Sequence, residues 1–337
     1  MEITTDMLSN PDPQSMATRF AGDACTVYLP ATFTVTEALG FQKLCQEVLQ
    51  QHPDLKQLIL DFGTTTFMDS SGLGALVICR RLCEKQGADL QLAEVGPQVM
   101  LILTMTDLDK VFTIAAKAPA TDRPEAWSER QAIATHPSVN SRAKRAMDIV
   151  GALVGLGVTG LLLIPIAIAI YIDDPGPIFF SQIRCSWMGR RFRIWKFRSM
   201  VVNAEALKNQ VQNEVEGPLF KNENDPRVTA VGRFLRKTSL DEFPQFWNVL
   251  KGDMSLVGTR PPTPAEIEEY EVPAWQRLNV KPGLTGEWQV SGRSNIKKFE
   301  DVIRLDMQYQ ENWSLLYDVK LIVKTVLVLF TKEAGAS

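Results

Sequence analysis

The uncharged stretch IVGALVGLGVTGLLLIPIAIAIYI, residues 149–172, divides the chain into two parts of different character. Its 24 residues could cross a bilayer as a tilted helix, and their length and apolarity argue against a buried helix of a soluble protein. Pro165 lies about two thirds of the way along the stretch, where it removes one backbone hydrogen bond and predicts a kink. We therefore expect a membrane helix that is bent at Pro165.

Basic residues flank this stretch on both sides. Arg142, Lys144 and Arg145 precede it, and residues 181–200 carry six Lys or Arg and no acid. Because positive charge marks the cytoplasmic side of a membrane segment, the flanks favour a re-entrant helix over a spanning one. The opening residues MEITTDMLSN lack the basic start and apolar run of a signal peptide, so the chain is expected to begin in the cytosol.

The parts of the chain also differ in charge. The 337 residues carry a net charge of −3, which is unevenly distributed. Residues 1–120 hold 8 basic and 14 acidic residues, whereas residues 121–337 hold 28 basic and 25 acidic residues. Five scattered cysteines argue against a disulfide framework, and two histidines argue against a histidine-rich zinc site. Cys79 and Cys83 lie in an apolar helical pattern and are expected to pack in a core, with a metal or redox pair as the alternative. No nucleic-acid partner is expected.

Residues 24–114 alternate between predicted strands and helices. ACTVYLP, LKQLILDFG and DLQLAEV are typical of strands, whereas TEALGFQKLCQEVLQQ, SGLGALVICRRLCEKQG and QVMLILTMTDL are typical of helices. The alternation predicts an α/β layer structure with one mixed sheet. Residues 117–140 are rich in Ala, Pro and Ser and are predicted to be a linker.

Within this region, TFMDSSGLGAL (66–76) resembles the signature of the STAS domain, the anti-sigma-factor antagonist fold. The resemblance implies that a serine at a helix start can be phosphorylated, here Ser70 or alternatively Ser71. A phosphate there would meet free backbone N–H groups and the positive end of the helix dipole. The alternative is that Asp69 or Ser70 only caps the helix. The expected roles of this domain are regulation, with a kinase or other regulator as partner, or contact in a homodimer.

A second resemblance extends from about residue 142 to 331. The stretches that carry it are DPGPIFFSQ (174–182), KFRSM (196–200), DPRVTAVGRFLRKTSLDEFPQFWNVLKGDMSLVGTRP (225–261), KPGLTGEWQVSGR (281–293) and ENWSLLYDVKLIVKT (311–325). Together they are similar to the bacterial sugar transferases, the monotopic polyprenyl-phosphate phosphoglycosyl transferases. This implies transfer of a hexose-1-phosphate from a nucleotide sugar, expected to be a UDP-sugar, to polyprenyl (undecaprenyl) phosphate, with release of UMP. Such a step begins exopolysaccharide, capsule, O-antigen or glycoprotein glycan assembly at the cytoplasmic face of the bacterial inner membrane.

The resemblance also implies roles for individual residues. Asp241 would be the nucleophile that forms a covalent acyl-phosphate intermediate, and Glu242 would help to place Mg²⁺ or accept a proton. Both acids are predicted as ligands of the Mg²⁺ ion. The chemistry agrees, because phosphoryl transfer needs a nucleophile, a cation and fixed positive groups. Arg236 is assigned to the polyprenyl phosphate and Arg260 to the nucleotide sugar. Further predicted contacts are Arg233 for the polyprenyl phosphate, and Pro261, Lys281, Arg293, Lys196 and Arg198 for the nucleotide sugar.

The acid pair lies in TSLDEFPQFWNVL (238–250). Ser239 and Glu242 match a capping box, but Pro244 would then be the fifth helical residue and would clash with the turn before it. With Asp241 as the cap, Pro244 falls at the third position, where no hydrogen-bond partner is lost. We therefore predict that Asp241 lies exposed at the start of a helix, next to an anion-binding end.

Two more helices are predicted in the C-terminal part. PAEIEEYEVPAWQRL (264–278) is expected to be a surface helix with solvated acids. YDVKLIVKTVLVLF (317–330) is expected to be an interfacial helix, with a soluble core helix as the alternative. The predicted organisation is a STAS-like α/β domain (1–116), a linker (117–140), a re-entrant membrane helix with its flanks (141–175) and a mainly α (α+β) catalytic domain (176–337). The alternative function is a membrane-anchored STAS signalling protein whose transferase domain is inactive.

Overall fold

The computed structural model describes residues 16–115, 136–207, 211, 213, 222, 224–291 and 298–330. The chain divides into two compact units, of which unit 1 is Met1–Ala134 with Glu271–Gln276 and unit 2 is Thr135–Tyr270 with Arg277–Ser337. Of the predicted linker, only residues 136–140 are among those described.

Strands and helices are numbered along the chain. The strands are β1 (Ala17–Ala21), β2 (Ala24–Tyr28), β3 (Thr32–Phe33), β4 (Gln57–Asp61), β5 (Phe67–Met68), β6 (Asp89–Ala93), β7 (Thr113–Ile114), β8 (Phe179–Cys185), β9 (Arg191–Phe197), β10 (Ser255–Val257) and β11 (Gly283–Thr285). The helices are α1 (Val35–Gln51), α2 (Ser70–Gln86), α3 (Pro97–Met105), α4 (Pro137–Asn140), α5 (Arg142–Asp173), α6 (Ala230–Lys237), α7 (Phe246–Lys251), α8 (Pro264–Glu268), α9 (Val272–Trp275), α10 (Glu287–Val290), α11 (Phe299–Glu311) and α12 (Leu315–Phe330).

Unit 1 is an α/β domain with a mixed sheet, as predicted. The strand order is β1-β2-β4-β6-β7, in which β1 runs antiparallel to β2 and the other neighbours are parallel. The predicted strands correspond to β2, β4 and β6, and the predicted helices to α1, α2 and α3. Cys79 and Cys83 are buried in α2, which confirms their predicted place in the core.

Both ends of α2 are defined by local chemistry. The Asp69 carboxylate accepts hydrogen bonds from the backbone N–H groups of Ser71 and Gly72, at 2.8 and 3.0 Å. These bonds satisfy donors that the first helical turn leaves open. Gly87 ends the helix in the left-handed conformation, with φ of 79°, which glycine adopts without steric cost.

In unit 2, the long helix α5 carries the apolar stretch. It runs without interruption from Arg142 to Asp173 with Pro165 inside it, and it is long and apolar enough to cross a membrane. Leu161 and Ile172 are 80% and 76% exposed, so α5 presents a large apolar surface. The helix continues through Pro165, and both the bend at Pro165 and re-entry into one leaflet stay predictions.

Small residues let α5 approach its neighbours closely. A Cβ atom at Gly155 would collide with the ring of Phe246 at the start of α7, and one at Gly151 would collide with Leu256 in β10. Close packing of this kind fixes the start of α7 and the residues directly before it.

Strands β8 and β9 form an antiparallel hairpin. Phe180 lies opposite Lys196, and Arg184 lies opposite Phe192. Directly opposite residues share a face, and alternate residues of one strand share a face, so Lys196 and Arg184 lie on the same side of the hairpin.

A buried ion pair joins the start of α5 to α12. Lys144 Nζ lies 2.5 Å from Asp318 Oδ2 and donates to the Val257 carbonyl at 3.0 Å. Tyr309 and Trp313 donate two more hydrogen bonds to the same carboxylate. One side of α12 is therefore anchored in unit 2, while its other side is exposed, and its interfacial placement stays a prediction.

Candidate active site

Asp241 and Glu242 lie in a short 3-10 helix, Leu240–Gln245, between α6 and α7. The predicted α-helix start at Asp241 is wrong, because Ser239 occupies the cap position with a left-handed φ of 55° and the chain turns tightly there. Pro244 lies inside this 3-10 helix. The predicted exposure is also wrong, since Asp241 is only 6% exposed. The 3-10 helix runs directly into α7, and both acids lie in its first turn, so an anion-binding role of this helix end stays a prediction.

Lys196 on β9 supplies positive charge at the acid pair instead. Its Nζ donates to Glu242 Oε1 at 2.8 Å and lies 3.9 Å from Asp241 Oδ2. The lysine was predicted as a nucleotide-sugar contact, and the structure brings it to both candidate catalytic acids. This ammonium group orients the Glu242 carboxylate and places positive charge beside Asp241.

Three predicted phosphate-binding arginines lie on α6 and at the end of β9. Arg236 Nε donates to Ser199 Oγ at 2.9 Å, and Arg233 Nη1 donates to a backbone carbonyl at 3.1 Å. Arg198 donates hydrogen bonds to the carboxylate and to the backbone carbonyl of Asp174. These bonds join the end of β9 to the end of α5. The phosphate-binding roles of these arginines stay predictions.

Arg260 belongs to a network of buried charges. Its Nη1 and Nη2 donate to the two carboxylate oxygens of Glu266, at 2.7 and 3.2 Å, and Arg184 Nη1 lies 3.8 Å from the same carboxylate. Burial alone would raise the pKa of Glu266, but Arg260 and Arg184 outweigh burial and hold that pKa below its ordinary value. Glu266 is therefore a buried, charged carboxylate that pairs with both Arg260 and Arg184.

The predicted surface helix over 264–278 is wrong. α8 ends at Glu268, and α9 is a separate short helix with Pro273 in its first turn. Proline cannot continue a helix without losing a hydrogen bond, which explains the interruption. The expected solvation of the acids fails at Glu266, which is 7% exposed, because Arg260, six residues earlier, and Arg184 on the distant strand β8 both lie against its carboxylate.

Arg277 and Asp306 form another buried ion pair, which was not found from the sequence. Arg277 Nη2 lies 2.5 Å from Asp306 Oδ2, and Nη1 donates to the Tyr270 hydroxyl at 2.7 Å. Nη2 also reaches the Arg260 carbonyl at 3.4 Å. The pair therefore fixes the loop that carries Arg260 and Pro261. The only signal in the sequence would have been the charges themselves, which lie 29 residues apart.

Lys281 lies beside the end of α7. A Cβ atom at Gly252 would lie 3.7 Å from Lys281 Nζ and 3.5 Å from Arg145 Nη2. Burial lowers the pKa of Lys281, and the charge of Arg145 lowers it further. The role of Lys281 at the nucleotide sugar stays a prediction, and Arg293 lies outside the described residues.

In unit 1, the two serines of the STAS-like motif are fully buried. Ser70 Oγ donates to the Trp275 carbonyl at 2.6 Å. Asp69 caps α2, which confirms the capping alternative for that residue. Phosphorylation of Ser70, or alternatively of Ser71, stays a prediction and would require Trp275 to move.

The acid pair can contribute to a metal site without forming one alone. Among the residues that the structure describes, no three His, Cys, Asp or Glu side chains are grouped to hold a metal ion. Mg²⁺ is commonly held by one or two carboxylates, with substrate phosphates and water as the other ligands. Asp241 and Glu242 therefore fit a Mg²⁺ ion that is shared with a phosphate-bearing substrate.

Comparison with known families confirms both resemblances. The model of the bacterial sugar transferase family matches residues 139–332. The STAS domain model matches residues 15–119, which include the mixed sheet of unit 1. Unit 1 thus has a STAS-like fold.

Three curated proteins are similar to the C-terminal part. Galactosyl transferase CpsE of Streptococcus agalactiae is 52% identical over 189 residues, which make up 56% of this chain and 42% of that protein. Undecaprenyl-phosphate galactose phosphotransferase of Salmonella typhimurium is 42% identical over 198 residues, which make up 57% of this chain and 41% of that protein. UDP-glucose:undecaprenyl-phosphate glucose-1-phosphate transferase of Escherichia coli is 40% identical over 206 residues, which make up 58% of this chain and 42% of that protein.

The chain thus covers less than half the length of these relatives. The match to the sugar transferase model, in contrast, takes in α5, the β8–β9 hairpin, the acid pair with Lys196, and the Arg260 network. Because it extends over more than half of the 337 residues and contains every part of the candidate site just described, the chain belongs to the bacterial sugar transferase family.

Proposed function

We propose that the chain transfers a hexose-1-phosphate from a UDP-sugar to undecaprenyl phosphate, or another polyprenyl phosphate, and releases UMP. The observation that carries this proposal is the pair of adjacent carboxylates, Asp241 and Glu242, held against Lys196. The names of the relatives support the substrates, since two of them name undecaprenyl phosphate as acceptor, with galactose in one and UDP-glucose in the other.

The proposed reaction has two steps, each a phosphoryl transfer. First, an Asp241 carboxylate oxygen attacks the phosphorus that carries the sugar, and the bond to the bridging oxygen of the diphosphate breaks, so that UMP leaves with the electron pair. Second, a phosphate oxygen of the polyprenyl phosphate attacks the same phosphorus, and Asp241 leaves as a carboxylate. Glu242 accepts the proton of the attacking phosphate, and Lys196 keeps positive charge beside the reacting group.

The proposal includes Mg²⁺ as cofactor, with Asp241 and Glu242 as its protein ligands. Bound there, the ion would neutralise charge on the diphosphate. Lys196 already donates to Glu242, and this contact keeps the carboxylate in place.

We further propose that α5 holds the chain at the cytoplasmic face of the bacterial inner membrane, as a re-entrant helix. Its exposed apolar surface and its basic flanks support this. In a cysteine-free background, Asn140→Cys and Arg193→Cys should both resist a membrane-impermeant thiol reagent in intact cells. Labelling of one position only would show a spanning helix.

In the cell, the reaction would be the first membrane step in making an exopolysaccharide, a capsule, an O-antigen or another glycan. Arg236 and Arg233 are proposed to contact the polyprenyl phosphate. Unit 1 is proposed to regulate the enzyme or to contribute to a homodimer, since a STAS-like domain lies in the same chain as the transferase region.

A transfer assay tests the proposed function. The purified full chain would be mixed with undecaprenyl phosphate, Mg²⁺ and radiolabelled UDP-galactose, UDP-glucose or their N-acetylated forms. Wild type should label the lipid and release UMP, Asp241→Asn should do neither, and Asp301→Asn, which changes a partly exposed acid on α11, should behave as wild type. Absence of transfer and UMP release with every sugar would overturn the proposal and favour the inactive signalling protein.

A further inference from the structure

Arg184 on β8 is a buried arginine whose hydrogen bonding is incomplete. Its Nη1 donates to the Pro261 carbonyl at 3.0 Å and its Nη2 donates to Gln182 Oε1 at 2.9 Å. Its Nε is buried, and no residue in the described part of the chain accepts a hydrogen bond from it. A guanidinium group has five N–H donors, and in the described part of the chain Arg184 donates one hydrogen bond from Nη1 and one from Nη2.

The charge of Arg184 is also poorly neutralised. The nearest acid among the described residues is Glu266, at 3.8 Å, but both oxygens of that carboxylate already accept hydrogen bonds from Arg260. Two arginines thus share one carboxylate, which leaves one excess positive charge in a mostly buried place. Burial and the neighbouring Arg260 lower the pKa of Arg184 to about 10, so the group stays charged at neutral pH.

Arg184 faces the same side of the hairpin as Lys196, which contacts the acid pair. Glu242 lies close enough for its charge to favour the charged form of Arg184. Phe192, the residue of β9 that pairs with Arg184, lies four residues before Lys196. At the rise of an extended strand, the Cα atoms of Arg184 and Lys196 are therefore about 14 Å apart. Both side chains are long, so together they can accommodate a diphosphate between them.

We propose that Arg184, next to Arg260, binds the nucleotide phosphate of the donor, the group that leaves as part of UMP. The inference deepens the proposed function and rests on it. Lys196 and the acid pair would face the phosphorus that carries the sugar, while Arg184 would face the other phosphorus. As the bridging bond breaks, negative charge grows on the leaving phosphate, and a fixed guanidinium stabilises that charge.

The contacts of Arg184 explain why an arginine is needed at this position. Its bonds to Gln182 and Pro261 fix the plane of the guanidinium, and the remaining N–H groups keep a fixed direction. A lysine would keep the positive charge but could not make both bonds and still present a second donor to the phosphate.

The experiment compares Arg184→Lys with Arg193→Lys, a matched change at an exposed arginine of the same hairpin, in the full chain. UMP affinity is measured by calorimetry without turnover, and KM is measured for the UDP-sugar and for undecaprenyl phosphate. Arg184→Lys should weaken UMP binding and raise the KM for the UDP-sugar about tenfold, as expected for one lost charge-assisted hydrogen bond. The KM for undecaprenyl phosphate and the melting temperature should not change, and Arg193→Lys should match wild type.

Two results would overturn the inference. If Arg184→Lys kept wild-type UMP affinity and only Arg184→Ala lowered the melting temperature, the residue would serve only to join β8 to the Pro261 loop. If the KM for undecaprenyl phosphate rose instead, Arg184 would serve the acceptor. Failure of the proposed function is distinguishable, because wild type itself would then transfer no sugar.

Discussion

Substitution of Lys144 by methionine should destabilise unit 2 strongly. The change removes the ammonium group that lies 2.5 Å from Asp318 Oδ2 and leaves a carboxylate that is 0% exposed without its cation. Breaking a buried pair in this way costs about 3–5 kcal/mol. For a unit of this size, that loss lowers the melting temperature by roughly 10 °C. The retained hydrogen bonds from Tyr309 and Trp313 keep the carboxylate in place but do not neutralise it.

Thermal unfolding of the full chain in detergent, followed by tryptophan fluorescence, measures this effect. Arg304→Met is the matched control, since it removes one partner of the exposed ion pair with Asp301 and should not move the melting temperature measurably. The double variant Lys144→Met, Asp318→Leu removes the unpaired charge and should recover part of the loss. A wild-type melting temperature for Lys144→Met, or a double variant less stable than either single variant, would refute the reasoning.

Three further predictions concern charge and burial. Lys196→Met should lower the rate of UMP release about 100-fold, because a fixed positive charge at the reacting phosphate is lost, while Lys196→Arg should keep more activity. The pKa of Glu266 in the folded state lies below its ordinary value, so the charged carboxylate stabilises the fold fully above about pH 4.5. This contribution to the free energy of unfolding is lost as the pH falls through the lower pKa of the folded state. Glu266→Gln should therefore lower the melting temperature at pH 7 and make little difference at the lowest pH. Ser70→Asp places a charge in a fully buried position against Trp275 and should change the transfer rate, whereas Ser70→Ala should not; equal rates and oligomeric states would rule out a phospho-switch at Ser70.

The fold of unit 1 could be predicted from the sequence to the extent that its elements have a buried side. Strands β2, β4 and β6 alternate buried and less buried residues, and α1 and α2 have apolar faces. β1 could not be predicted in this way, because all five of its residues are exposed and therefore show no alternation. The two-residue strands β3, β5 and β7 are too short to form a pattern.

The candidate site was only partly predictable. The identity of the acid pair followed from the family motif, but its backbone did not, because the left-handed Ser239 turns the chain into a 3-10 helix. The network around Arg260 was missed in part, since Arg184 and Glu266 lie far apart in the sequence, one on β8 and the other on α8. Glu266 looked like a solvated helical acid, and only the tertiary fold shows the two arginines that surround it.

The central claim is that Asp241 carries the sugar phosphate between donor and acceptor. The direct measurement is a single-turnover reaction of the full chain with the UDP-sugar and Mg²⁺ but without polyprenyl phosphate. We predict a burst of about one UMP per chain, the kinetic sign of a covalent intermediate, and a hexose-phosphate adduct on the peptide that contains Asp241, detected by mass spectrometry. Release of UMP only after polyprenyl phosphate is added, with no adduct on that peptide, would contradict the claim and indicate direct transfer.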